Sequence, residues 1–361
     1  MEIIDFRPTP ERILAGASSR PGPGHALARL AGRLADFVAA GRAARRQAPP
    51  PGVLVVSVGN LRVGGTGKTP VVGALAEELA SRGIPGAIIT RGYGAAAKGP
   101  LVVRPGDLHA ADESRLLARQ IGHVDWTVIQ ARRRDRGLAF ALNVSPSPRV
   151  VLLEDGYQTA RLGRHLDVLI LDAWDHCDAE IQPVAGPVLP FGPYRETGAA
   201  AARADVWLLE AADLADGLTA GLGRGIAVAG FVRRLQLADI EGATLPATAA
   251  VHGLVAGLAR PERFEAGCTD LLPQPPALAV RCRDHCRYDP ALLRRILAAG
   301  ARCGVTAWVT TEKDWVKLRD VWPHSVSIQV IELTVTWTGR KTLPDLVEER
   351  LKILSAARRD A

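Results

Sequence analysis

The chain has 361 residues, with 45 Lys and Arg against 38 Asp and Glu, a formal charge of +7. Its length suits two ordinary domains, and 47% hydrophobic with 23% charged residues excludes wholesale disorder. Five cysteines exclude a disulfide-built scaffold, and the Met1-Glu-Ile-Ile-Asp5 start lacks the basic, then apolar, opening of a signal peptide. No apolar run reaches the roughly 18 residues of a spanning helix. The protein is therefore expected on the cytosolic side. Its basic balance suits an anionic partner without choosing among nucleotide, nucleic acid and acidic membrane.

Residues 26–46 predict an amphipathic helix. Leu27, Leu30, Ala31, Leu34 and Val38 recur at three- and four-residue steps, with Arg42, Arg45 and Arg46 crowding the C-terminal end and Pro49 to Gly52 stopping it. This pattern fits a surface helix packed on its own domain or an interfacial helix on anionic lipid. From residue 53 the pattern alternates strand and helix. VLVVSVGN (53–60) is β-branched and continuously apolar, as a strand buried on both faces requires, and a helix is expected over 69–82. AIIT (87–90), WTVIQ (126–130), VVLLED (150–155), LDVLILDA (166–173) and VWLLEA (206–211) read as further strands of a parallel sheet. A second group of strands starts at Gly225 and includes 249–255, 277–283, 306–311 and 325–333, with helices at 259–267, 289–303 and 343–357.

Gly59-Asn-Leu-Arg-Val-Gly-Gly-Thr-Gly-Lys-Thr69 joins the first strong strand to the first strong helix. Glycines at 64, 65 and 67 let backbone amides wrap phosphate oxygens, Lys68 can reach the β- and γ-phosphates, and the Thr69 hydroxyl is placed for Mg²⁺. Arg62 stands where the usual first glycine belongs, so the strict pattern is incomplete while its phosphate-contacting part is intact. Glu154 and Asp155 end an apolar strand and so fall at the carboxyl edge of the sheet, where a metal-holding carboxylate is needed. A GTPase is disfavoured, because Thr311-Glu-Lys-Asp314 has Lys and Asp adjacent rather than spaced for guanine. A partition-type ATPase is disfavoured because Val63, not lysine, precedes the paired glycines. A small-molecule or lipid kinase remains, as does a non-enzymatic membrane-bound ATPase switch.

VGNLRVGGTGKTP (58–70), TRGYG (90–94), Asp112-Glu113, LLEDGYQ (152–158), GPYRE (192–196), PERF (261–264), Asp284-His285 with Tyr288, and TTEKDWVKL (310–318) follow one another along the chain. Together they resemble the tetraacyldisaccharide 4′-kinase family of lipid A biosynthesis. The resemblance implies an ATP- and Mg²⁺-dependent kinase that phosphorylates the 4′-hydroxyl of a tetraacyldisaccharide 1-phosphate to give lipid IVA. It also implies a P-loop NTPase-like α/β core, its mostly parallel sheet flanked by helices on both faces, and a smaller α/β domain. The family's peripheral place on the cytoplasmic face of the bacterial inner membrane favours lipid contact for the 26–46 helix. A monomer with no nucleic-acid partner is expected.

By the same resemblance Asp112 is the expected base, working with His285, while Lys68 and Arg195 serve the transferring phosphoryl group. Arg62, Val63, Gly64, Gly65, Thr66, Gly67, Lys68 and Thr69 are the expected nucleotide-binding residues. Thr69, Glu113 and Asp155 are the expected metal set, and Asn60, Arg91 and Tyr93 the expected acceptor contacts. Several alternatives stand beside these roles. Asp112 could be a helix cap, Arg195 could pair with Glu196, and Cys282, His285, Cys286 and Cys303 could hold zinc. Arg132 to Arg134 and Arg136 could meet the acceptor's phosphate or a lipid headgroup, or form a solvated face. The family's Gly-Asp-Glu-Pro reads Ala111-Asp-Glu-Ser114 here, and Ala95 replaces a basic residue after RGYG. Two domains are expected, a P-loop kinase core at 51–224 and a smaller α/β domain at 225–361, after an N-terminal membrane-contacting helix within 1–50, with the active cleft between the two domains.

Overall fold

Leu54–Asn60 is buried at every position, and its side chains divide by alternation: Leu54, Val56 and Val58 enter one core while Val53 and Val55 enter another. A strand so apolar on both sides must lie between two layers. The structure is a computed structural model. It describes residues 1–7, 32, 34, 38, 41, 48–63, 67–144, 147–159, 162–171, 174–177, 180–184, 186–212, 219–220, 225–239, 250–258, 260–284 and 286–358.

In chain order the described elements begin with β1 (Glu2–Asp5), β2 (Leu54–Asn60), α1 (Lys68–Ser81), β3 (Gly86–Thr90), β4 (Leu101–Val103), α2 (Asp112–Gln120), β5 (Trp126–Gln130) and α3 (Arg134–Ala141). There follow β6 (Val150–Glu154), β7 (Leu166–Leu171), β8 (Trp174–Cys177), β9 (Glu180–Pro183), a 3-10 turn (Gly198–Arg203), β10 (Val206–Glu210), β11 (Thr219–Ala220) and β12 (Ala227–Ala238). The chain continues with β13 (His252–Ala256), α4 (Pro261–Leu271), β14 (Leu278–Arg281), α5 (Pro290–Arg302), β15 (Ala307–Thr311), α6 (Glu312–Leu318), β16 (Ile328–Thr338) and α7 (Leu343–Ala357).

The chain divides into a larger unit, Ser18–Arg233 with Val335–Ala361, and a smaller one, Met1–Ala17 with Arg234–Thr334. In the larger unit the strands run in the order β12, β10, β7, β2, β6, β3, β5, β4, with parallel pairing from β10–β12 through β3–β5. The edge pair β4–β5 is antiparallel. One face packs Val71, Leu75 and Leu79 of α1, Leu117 of α2 and Leu343, Val347 and Leu351 of α7. The other packs Leu138 and Ala141 of α3 and, further along, Trp207 and Leu209 of β10. Because β2 and β6 are parallel neighbours, Asn60, Glu154 and the start of α1 share one edge of this sheet. In the smaller unit β1, β14, β13, β15 and β16 form parallel pairs, flanked by α4, α5 and α6.

These units differ from the expected division at both termini. Helix α7, expected with the smaller domain, buries its apolar stripe on the larger unit, where Arg82 bridges Asp345 and Glu348 at 2.9 Å each. Residues 2–5 belong to the smaller unit because they pair with β14. Most of the 26–46 helix lies outside the described residues; Gly32, Leu34, Val38 and Gly41 are helical, and Leu34 and Val38 are exposed. Among the described residues no helix is long and apolar enough to cross a membrane.

Candidate active site

Strand β2 delivers Asn60 to the phosphate loop and α1 starts at its far end. Gly64, Gly65 and Thr66 lie outside the described residues. Gly67 has φ +74°, a left-handed turn that only glycine takes without strain, and it aims the first amides of α1 back toward the sheet edge. The buried Lys68 ammonium donates to Asn60 Oδ1 at 3.2 Å and sits 3.5 Å from Asp155 Oδ1. Ahead of the glycines, the Val63 amide donates to the Pro193 carbonyl (2.8 Å) and the Arg195 amide to the Leu61 carbonyl (2.7 Å). Arg62 lies over the Tyr194 ring, 5.7 Å from its centre. Residues 193–195 thus pair with the loop and carry Arg195 to its side.

Thr69 Oγ1 donates to Glu154 Oε1 at 3.3 Å. Burial, with Glu113 and Asp155 nearby, pushes the Glu154 carboxyl up to about 8, against the pull of Arg134 and Lys68. Asp155 follows with φ 53°, which turns its carboxylate out of the strand line. Burial works to raise the Asp155 carboxyl, but Lys68 and Arg195 outweigh it and hold it below the usual carboxylate range. Arg195 Nη1 lies 2.9 Å from both Asp155 oxygens and 3.0 Å from Gln158 Oε1, and Gln158 Nε2 donates to the Asn60 carbonyl at 2.9 Å. The two neighbouring acids therefore differ: Glu154, rather than Asp155, faces the Thr69 hydroxyl, while Asp155 is held between two cations. Glu196, the alternative partner of Arg195, instead pairs with Arg203 at 2.6 Å.

A second wall comes from β3, β5 and α2. Gln130, fully buried at the end of β5, accepts from the Ala111 amide and donates to the Ala97 carbonyl, both at 2.7 Å. Thr90 and Ser114 share a buried hydroxyl–hydroxyl bond of 2.6 Å, so Ser114 ties α2 to β3. These bonds fix the start of α2, where Ala111 is the cap and Asp112 and Glu113 occupy the first turn, suited to the helix dipole. Asp112 is thus not the cap. Arg91 and Tyr93 stand exposed on the loop after β3. Within the basic run, Arg132, Arg133 and Arg136 are exposed, but Arg134 turns inward and donates to the Glu154 carbonyl at 2.5 Å. Burial lowers the Arg134 pKa, against Glu154 and Asp155. Gln130 is not among the expected site residues, its one sequence signal being that it ends an apolar strand, and Arg134, read in the basic run as an acceptor or lipid contact or a solvated face, instead holds the end of β6.

The family model described as tetraacyldisaccharide-1-P 4′-kinase matches residues 26–352. The chain belongs to this family. A tetraacyldisaccharide 4′-kinase of Anaeromyxobacter sp. (strain Fw109-5) is 35% identical over 337 residues, covering 85% of this chain and 87% of that protein. One from Dinoroseobacter shibae is 34% identical over 322 residues, covering 86% and 87%. In fold the chain is similar to LpxK of Aquifex aeolicus, solved in complex with ATP, with a TM-score of 0.67 at 23% identity over 91% of this chain and 98% of that one.

Of the motifs that carry the resemblance to the tetraacyldisaccharide 4′-kinase family, those of the smaller unit have their own geometry. His285, the expected partner of Asp112, lies outside the described residues; its neighbour Asp284 pairs with Lys313 at 2.9 Å. Asp314, fully buried, accepts from the Gly257 amide (3.0 Å), the Tyr288 phenol (2.9 Å) and the Thr311 hydroxyl (2.8 Å). TTEKD therefore builds a structural knot at the start of α6. Cys286 Sγ donates to the Arg287 carbonyl at 3.5 Å, while Cys303 donates to Glu2 at 3.2 Å. Among the described residues no three His, Cys, Asp or Glu side chains group as a metal centre.

Proposed function

We infer that the protein is an ATP-dependent kinase that transfers the γ-phosphate to the 4′-hydroxyl of a tetraacyldisaccharide 1-phosphate, forming lipid IVA in lipid A biosynthesis. The observation that carries this reading is the arrangement of Lys68, Thr69 and the Glu154–Asp155 pair at one sheet edge, in a chain matched by the family model over residues 26–352.

The residues have separable roles. Lys68 stands at the first turn of α1, where its ammonium can follow the β- and γ-phosphates, with Asn60 and Asp155 limiting where it points. Arg195, steered by Asp155 and Gln158, supplies a planar cation to the phosphoryl oxygens. Thr69 and Glu154 fit a Mg²⁺ ion: a hard cation takes oxygen donors, and a carboxyl held protonated by burial and by neighbouring acids is relieved by a positive charge. Held by Thr69 and Glu154, such an ion would supply positive charge against the charge that develops on the phosphoryl group. Asp112, on the wall fixed by Gln130, takes the proton as the 4′-oxygen bonds to phosphorus and the bond to the ADP oxygen breaks. Arg91 and Tyr93 flank the acceptor. Leu34 and Val38, four residues apart on a helix and exposed, support peripheral contact with the cytoplasmic face of the inner membrane.

Coupled turnover tests this. With ATP–Mg²⁺ and the tetraacyl acceptor, ADP is expected to appear in step with acceptor consumption. ADP release indifferent to acceptor would instead mark an ATPase switch.

A further inference from the structure

Arg233 lies on β12, in the larger unit, and takes no part in the roles above. Its aliphatic and guanidinium groups are largely covered, with 16% of the side chain exposed, and its charge lies over the fully buried Phe231 ring, 5.4 Å from the centre. Glu210, the last residue of β10, holds the Nε and Nη2 edge of the guanidinium, with Nε donating to Oε1 at 2.7 Å. The third corner, Nη1, is turned to the phosphate loop: a Cβ added to Gly67 would collide with Nη1 and sit 3.1 Å from Cζ. A guanidinium fixed on two sides and packed on the Cα of the residue before Lys68 is a preorganised positive charge beside the phosphate cradle.

We propose that Arg233 is a nucleotide-positioning residue, clamped by Glu210 and Phe231 so that its cation supports the left-handed turn at Gly67 and adds to the field that holds the polyphosphate of ATP. The proposal rests on the kinase reading above. It assigns Arg233 to the nucleotide and not to the lipid acceptor. Arginine suits the place because one edge of its guanidinium meets the Glu210 carboxylate while another corner packs on Gly67; lysine has a single nitrogen for both tasks.

The test uses the full chain and its Arg233→Met, Arg233→Lys and Glu210→Gln variants. ATP binding is measured directly by calorimetry, and KM for ATP and for the acceptor under turnover. Arg233→Met keeps the stack on Phe231 and loses the charge; it is expected to weaken ATP binding about tenfold or more, with the acceptor KM unchanged. Arg233→Lys and Glu210→Gln should fall between it and the unaltered protein, and they carry the test if Arg233→Met does not fold. ATP affinity within twofold of the unaltered protein in the folded variants, or an acceptor KM rising in parallel, would overturn the proposal while leaving the kinase reading intact. Failure of the unaltered protein to bind ATP would overturn both.

Discussion

Thr69 and Glu154 face each other at the edge of the larger unit's sheet, hydroxyl to carboxyl at 3.3 Å. They come from consecutive layers, the helix after β2 and the tip of β6, and meet because those two strands are parallel neighbours.

The first prediction concerns pH. The Glu154 carboxyl, at about 8, binds a proton in the folded chain that the unfolded chain has lost above its ordinary value near 4.5. Its contribution to stability is fully present below the unfolded value and is lost as pH rises through the folded one. Without Mg²⁺, the melting temperature should therefore decline between about pH 5 and pH 8, and Glu154→Gln should flatten that decline. Identical slopes for the two proteins would show that Glu154 is not the titrating group.

Asp112 sits in the first turn of α2, behind the cap Ala111. Asp112→Asn is expected to lower kcat by about 10²- to 10⁴-fold while ATP binding persists. Near-normal turnover by this variant would remove Asp112 from the role of base.

Gly59 lies against the segment that carries the acids. A Cβ there would lie 2.6 Å from Tyr157 Cβ and 3.0 Å from the Tyr157 amide nitrogen, and Tyr157 is pinned through its hydroxyl to the Ala200 carbonyl at 2.6 Å. Gly59→Ala should destabilise the protein by about 1–3 kcal/mol through overpacking. An unchanged urea midpoint would show that the segment yields freely.

Gln130 joins the loop between β3 and β4 to the start of α2 through the two hydrogen bonds of its side-chain amide. Gln130→Leu leaves the buried Ala111 amide unsatisfied, at about 1–3 kcal/mol, frees the half-buried Ala97 carbonyl, and loosens Asp112. Melting temperature and kcat should fall together, with the KM for ATP little changed. A fall in stability alone would make Gln130 purely structural.

The larger unit's sheet was legible because its strands are short, β-branched and apolar on both faces, so that 53–60, 87–90, 126–130 and 150–155 stand out before any packing is known. The edge that carries the candidate site was legible for the same reason, since Lys68, Thr69, Glu154 and Asp155 each end or follow such a run. Which acid faces Thr69 was not, because a left-handed residue at 155 reverses the simple alternation of the strand. Arg134 was hidden in a basic run that periodicity reads as one solvated face, and only the tertiary position of α3 turns it inward. The ownership of α7 depends on ion pairs and apolar contacts between residues more than 260 positions apart, which local pattern does not carry.

The most direct test of the kinase assignment is the mass of the lipid after reaction, measured for the unaltered protein and for Lys68→Met with ATP–Mg²⁺ and tetraacyldisaccharide 1-phosphate. The account predicts one added phosphate, on the 4′-oxygen, and a fall of about 10²-fold or more in its rate of formation with Lys68→Met. An acceptor recovered unmodified while ATP is consumed, or a Lys68→Met variant that phosphorylates it at the original rate, would contradict it.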